Sequence, residues 1–262
     1  MKKKNLGRLA AFALFFLFLG TCGTRAYGQE AKDLKVFVAP YGWLINLSGD
    51  IEARGFKARV NQKFLDLSED LNYAGMLAID ILVQDRYGFT GNVNFARLGP
   101  GGSVGSVSLD SSTSMLLADM SLFYRLGSTP LVEDGSRYVL WDILAGARLW
   151  ELSADLDIKY GPYSFEVSQS ETWVDPIIGA RVWVNIADDW SLEFRGDVGG
   201  FGVSSDLTWS ASSILAYSFK GNGSFLLGYR GLGVDYQKGS GPGTFHVDAI
   251  LHGPIIGLLW KF

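Results

Sequence analysis

The chain has 262 residues, 48% of them apolar and 14% aromatic, with only 19% charged. That balance excludes a disordered chain. Seven prolines beside 33 glycines, with no G-X-Y period, exclude a collagen-like one. The length fits a single domain.

The first thirty residues differ in kind from the rest. Lys2, Lys3, Lys4 and Arg8 precede Leu9 to Gly20, an apolar run of twelve. It is too short to span a bilayer as a helix and has the length of a secretory core. Ala26 and Gly28 place small residues at −3 and −1, so residues 1–28 are expected to be a signal peptide cleaved before Gln29. The rival reading, a lipoprotein box at Leu19 to Cys22, ranks below it because Thr21 is a poor residue before such a cysteine. Removing Lys2, Lys3, Lys4, Arg8 and Arg25 leaves 18 basic and 27 acidic residues, a net charge of −9. Nucleic acid is therefore not an expected partner. Cys22 leaves with the signal, so neither disulfide nor thiol chemistry is expected.

After Gln29 no apolar run approaches eighteen residues, so no spanning helix is expected. Period-two alternation recurs instead. Trp190 to Gly202 sets Trp190, Leu192, Phe194 and Val198 against Ser191, Glu193, Arg195 and Asp197. Similar alternation runs through 77–84, 174–186 and 207–219. Ten strands can be laid out, at about 35–48, 73–84, 87–98, 112–126, 137–152, 170–186, 190–202, 207–220, 224–237 and 245–262. Eight or twelve also fit the weak signal per strand. Tight turns at 85–88, 187–189 and 220–223 alternate with longer connections at 49–72, 99–111 and 153–169, the layout of an outer-membrane barrel. Segment 127–136 is long for its side. The expected fold is all-β, a transmembrane antiparallel up-and-down barrel occupying 29–262. A soluble sandwich is the remaining alternative. Within the first long connection, 50–61 reads as an outer hairpin turning at Arg54-Gly55. Residues 64–72 read as a short amphipathic helix, a lid in preference to a plug.

If the apolar face meets lipid, the polar face lines the lumen. It carries Arg125, Arg148, Arg181, Arg195 and Arg230 against Asp80, Asp119, Asp142, Asp175, Glu193 and Asp197, with Asn92, Asn94 and Ser121 between them. Asp142 to Trp150 and Asp175 to Trp183 repeat one pattern, with Asp, Gly, Arg and Trp on a shared face. In a narrow barrel such charges must pair, so a filled lumen or a thin path is expected. Aromatic girdles are expected from Trp141, Trp190, Phe219, Phe225, Trp260 and Phe262 on the turn side. Trp43, Phe95, Trp209 and Tyr236 supply the loop side. The glycines Gly199, Gly200 and Gly202 end a strand with no helix after them, the wrong setting for a phosphate loop.

Two histidines exist, His246 and His252. His246 shares a strand face with Asp248, so a hydrolytic dyad acting on lipid or peptide is conceivable. Counting back from an outward Phe262 turns both away from the lumen. A bulge at Gly253-Pro254 would reverse that. No Gly-x-Ser-x-Gly signature accompanies them, and no third metal ligand is evident. No cofactor or metal is expected.

Several stretches carry a family resemblance. They are Tyr41-Gly42-Trp43-Leu44, Asp175 to Arg181, Arg195 to Gly202, Ser205 to Trp209, Leu227 to Arg230 and Gly253 to Gly257. In these the chain resembles a broad group of uncharacterised bacterial outer-membrane barrels, loosely OmpA/OmpW-like and often labelled "porin family". The ending Leu258-Leu259-Trp260-Lys261-Phe262 resembles the C-terminal signature that barrel assembly machinery reads. The resemblance implies an outer-membrane barrel of a Gram-negative bacterium, surrounded by lipid and lipopolysaccharide. It implies no reaction, and fold alone carries none. The expected role is non-enzymatic, structural or narrow-pore. A hydrolase using His246 and Asp248, or a loop-mediated ligand or adhesion barrel, is the alternative.

Overall fold

A computed structural model describes residues 34–53, 56–99, 101–104, 107–160, 163–219 and 221–262. The expected signal peptide and the hairpin tip at Arg54-Gly55 lie outside them. The strands are β1 (Leu34–Trp43), β2 (Asn46–Ala53), β3 (Phe56–Gln62), β4 (Leu71–Val83), β5 (Tyr87–Leu98), β6 (Gly101–Val104) and β7 (Val107–Pro130). They continue as β8 (Tyr138–Tyr160), β9 (Tyr163–Ala187), β10 (Trp190–Gly200), β11 (Leu207–Phe219), β12 (Gly223–Lys238) and β13 (Phe245–Lys261). One helix, α1 (Phe64–Glu69), precedes β4.

Ten strands close a barrel in the order β1-β4-β5-β7-β8-β9-β10-β11-β12-β13, and β13 returns to β1. Every pairing is antiparallel. The all-β transmembrane barrel of about ten strands is thus borne out. Its outside is apolar: Leu122, Ile143, Ile178, Phe194, Leu227 and Ile256 all stand exposed. Stripes of this kind on a closed sheet need lipid, not water. The 11 to 13 residues of β4, β5, β10 and β11 suffice for tilted crossings.

The turn end holds the connections after β4, β7, β9 and β11, together with Leu34 and Phe262. The Phe262 amide donates to the Val36 carbonyl across the seam at 2.8 Å. At the loop end the structure departs from the expected boundaries in two ways. First, the described residues of 101–111 and 153–169 are strand, not irregular loop. β7, β8 and β9 run 24, 23 and 25 residues and keep pairing through Val107↔Tyr160 and Tyr160↔Tyr163. The period-two pattern in fact runs on there, with Leu152, Leu156, Ile158 and Tyr160 against Ser153, Asp155, Asp157 and Lys159, and the polar content of these stretches masks a strand signal that is present. Secondly, the first strand breaks at Leu44-Ile45. β1 pairs with Ile255 to Lys261 of β13, whereas β2 pairs with Phe245 to His252 and carries β3 beyond it. Helix α1 buries none of its residues and Leu65 is exposed, so it is not a plug. The Phe64 amide donates to Asn46 Oδ1 at 3.0 Å, which ties the helix to the start of β2.

Two of the expected girdle residues, Trp43 and Tyr236, are instead buried in the lumen. Period two places Tyr236 on the face of Arg230 and Trp43 on that of Tyr41, so height along the strand is a poor guide where face decides. Trp141, Trp190, Phe225, Trp260 and Phe262 do stand on the outside.

Candidate functional site

Every residue of the charged set sits on an inward strand position. Asp80 comes from β4, Asp119 and Arg125 from β7, Asp142 and Arg148 from β8, and Asp175 and Arg181 from β9. Glu193, Arg195 and Asp197 come from β10, and Arg230 from β12. They form one belt at mid-height.

Arg148, 0% exposed, is the hub. Its Nε donates to Asp119 Oδ1 at 2.7 Å, Nη2 to Asp197 Oδ1 at 2.8 Å and Nη1 to Thr208 Oγ1 at 3.0 Å. The planar fork suits this, since each arm serves a different strand. Arg230 donates from Nη2 to the other oxygen of Asp119 at 2.7 Å and from Nε to Ser210 Oγ at 3.2 Å. Arg125 grips Asp142 with two bonds, 2.8 and 3.2 Å. Arg181 donates to Asp142 Oδ2 at 3.0 Å and reaches across the lumen to Asp80. Its guanidinium lies 4.5 Å from the Phe123 ring centre, and that of Arg230 lies 4.9 Å from the ring of Trp43. Tyr41 donates to Asn92 and Asn94.

Asp175 is held differently. It takes bonds from the Ser205 amide at 2.8 Å, the Ser205 hydroxyl at 2.7 Å and Trp173 Nε1 at 3.2 Å. Gly200 and Gly202, both at positive φ, fold the β10–β11 loop inward so that Ser205 reaches it. Alternation over 207–219 puts Thr208 and Ser210 on the polar face, but the bonding roles of Ser205, Thr208 and Ser210 appear only in the cross-lumen geometry.

Two residues are held loosely. Arg195 contacts Asp197 at 3.6 Å and Thr90 at 3.4 Å, and its buried Nη2 has no partner among the described residues. Glu193 lies buried in the field of Arg181 and Arg195.

Above the belt the lumen becomes apolar. Trp43, Leu117, Trp150, Trp173, Leu232, Val234, Tyr236 and Leu251 pack into one cluster. The Trp150 and Trp173 rings stack at 5.6 Å and 11°, and those of Trp173 and Tyr236 at 4.0 Å and 6°. Below the belt, toward the turn end, is a cavity of about 640 Å³.

The histidines lie apart from all this. The β12–β13 register runs unbroken from Trp260 to Phe245, so no bulge reverses the faces. His246 Nε2 lies 3.1 Å from Asp235 Oδ1, so its carboxylate contact is with β12, not with Asp248. Asp248 stands exposed, directly opposite both Asp235 and Asp50. His252 Nδ1 meets the Tyr229 hydroxyl at 2.6 Å. No group of three or more metal-ligating side chains occurs among the described residues.

No family model matches the chain, and no curated protein matches it in sequence. Solved structures do match. The outer membrane protease OmpT from Escherichia coli aligns at 9% identity over 92% of this chain and 100% of that one, with a TM-score of 0.49. Ail, the attachment invasion locus protein of Yersinia pestis, aligns in its complex with a heparin analogue at 12% identity. The shares are 88% and 99%, and the TM-score is 0.38. Neisserial surface protein A aligns at 11% identity over 89% and 100%, with a TM-score of 0.29.

Proposed function

We propose that the chain is a non-enzymatic outer-membrane barrel of a Gram-negative bacterium with a closed lumen. On this reading residues 1–28 direct export, Phe262 is presented to the assembly machinery, and lipid and lipopolysaccharide surround the apolar stripes. The observation that carries the closed lumen is the set of bonds spanning it: Arg148 to Asp197 and Thr208, Arg181 to Asp80, and Arg230 to Asp119. Desolvated ion pairs held at several points do not yield to a passing solute without large cost. The Trp150–Trp173–Tyr236 stack stands above them as a second barrier.

The test is conductance of the refolded mature protein in a planar bilayer, beside Arg181→Ala, with folding checked by heat-modifiable gel mobility. A folded, silent wild type is expected. Steady wild-type conductance that changes in Arg181→Ala would replace this reading with that of a narrow pore.

A further inference from the structure

Strand pairing lays three arginines in one row across the floor of the turn-side cavity. Arg181 stands opposite Arg195, Arg195 opposite Ser212, and Ser212 opposite Arg230. All four residues line the cavity. Like charges directly opposite each other repel unless an anion lies among them. Arg181 has Asp80 and Asp142, and Arg230 has Asp119. Arg195 is served worst: Thr90 lies at 3.4 Å, and Asp197 at 3.6 Å is already bonded to Arg148 at 2.8 Å. Its enclosed Nη2 has no partner among the described residues. A buried charged donor with its bond unmade is costly.

The cavity around this row is built like a ligand site. Its volume of about 640 Å³ lies in the range of small-molecule pockets. Lys35, Arg125, Arg181, Arg195, Arg230 and Lys261 line it against Asp80, Asp85, Asp119 and Glu193, six cations to four carboxylates. Asp142, behind the wall, serves both Arg125 and Arg181, while Asp197 is spent on Arg148. One positive charge stays unmatched, and Arg195 is its seat. Between the row and the turns, β11 and β12 present Ile214, Ala216 and Leu226 as apolar wall. Glu193 lies one step nearer the turns than Arg195, in the field of Arg181 and Arg195.

We propose that this cavity binds a small monoanionic amphiphile, its carboxylate on Arg195 and the Ser212 hydroxyl and its hydrocarbon body against Ile214, Ala216 and Leu226. The planar guanidinium matches a carboxylate, and the ligand supplies the acceptor that Arg195 lacks. An ammonium head would face the row of arginines instead. Glu193 opposes the ligand's charge and weakens its hold without preventing it. The site ends at the belt, so binding and conduction are independent: either result in the bilayer leaves this inference standing or falling on its own test.

The test is calorimetric titration of hexanoate into the refolded full-length mature chain in a non-ionic detergent. Hexanol and hexylammonium serve as size-matched probes, acetate as the probe without a hydrocarbon body, and protein-free micelles as the blank. Saturable, one-site binding of hexanoate is expected, roughly tenfold or more tighter than hexanol. Arg195→Gln should erase that preference while leaving the heat-modifiable band. Glu193→Gln should tighten hexanoate, which keeps the charge argument testable if Arg195→Gln does not fold. Ile214→Trp should fill the cavity and abolish binding without touching a charge. The proposal is overturned if hexanoate only partitions as into empty micelles, or if acetate or hexylammonium binds as tightly. It is equally overturned if folded Arg195→Gln or Ile214→Trp binds hexanoate as well as wild type, or if Glu193→Gln fails to tighten it.

Discussion

Replacing Arg148 by methionine tests the belt most directly. The change keeps a long side chain and deletes three bonds. The two carboxylates left behind do not suffer equally. Asp119 retains Arg230 at 2.7 Å, whereas Asp197 keeps only Arg195 at 3.6 Å. Removing one member of a buried pair costs roughly 3–5 kcal/mol, mostly through the charge left uncompensated. With one carboxylate still served, the lower end applies, about 3 kcal/mol. That lowers the folded-to-unfolded ratio by roughly two decades at about 1.4 kcal/mol each. The assay is urea unfolding in detergent followed by tryptophan fluorescence. Adding Asp197→Asn to Arg148→Met removes the orphaned charge, so the double variant should be more stable than Arg148→Met alone. A loss under about 1 kcal/mol for Arg148→Met, or a double variant weaker than the single, would refute the assignment of Arg148 as hub.

Other outcomes follow from the same geometry. Trp173→Ala removes the middle ring of the stack and should cost about 3–5 kcal/mol, read in the same urea series; a loss near zero would mean the stack is incidental. A Cβ at Gly179 would collide with the backbone of Gly196 and Asp197, whereas one at Gly127 meets nothing. Gly179→Ala should therefore impair refolding yield on a gel and Gly127→Ala should not. Asp248 faces Asp50 and Asp235 across both neighbouring strands, so Asp248→Asn should slow amide exchange in β2. In the turn after β7, Ser136 donates twice to Asp134 and holds its carboxyl below the usual range. These bonds support the turn at neutral pH and are lost as pH falls through that lowered pKa. Ser136→Ala should raise the Asp134 titration midpoint seen by carbon NMR.

How much of this was legible in the sequence follows from what alternation encodes. Where a strand borders lipid, apolar positions such as Phe194 and Val198 must recur every second residue, and that rule set the barrel and its approximate strand number. The same rule still holds in the long arms of β8 and β9, where Leu152, Leu156, Ile158 and then Tyr163, Phe165, Val167 alternate with polar residues, but the density of serine and acidic residues there reads as loop. Trp43 and Tyr236 fit a girdle by position along the chain, yet period two puts them on the faces of Tyr41 and Arg230, and the structure follows the alternation. The hub role of Arg148 is a matter of reach across the barrel, to β10 and β11, which no local pattern records.

The seam between Val36 and Phe262 has a consequence for how the barrel is made. Almost every other pairing in the wall joins strands adjacent in the chain through a short hairpin, so most contacts are local and cheap in loop entropy. The pairing of β13 with β1, carried on by β2, ties the two extremities of the described chain. Until it forms, the sheet is an open ribbon with two raw edges in or near lipid, and the arginines that reach across have nothing to reach. Closure completes the pairs that cross the barrel, Arg181 with Asp80 and Arg230 with Asp119, whereas Arg148–Asp119 and Arg125–Asp142 join neighbouring strands without it. The last strand is the one that removes both edges, and a chain arrested before it would be a template for pairing with other chains, not a leaky version of the finished barrel.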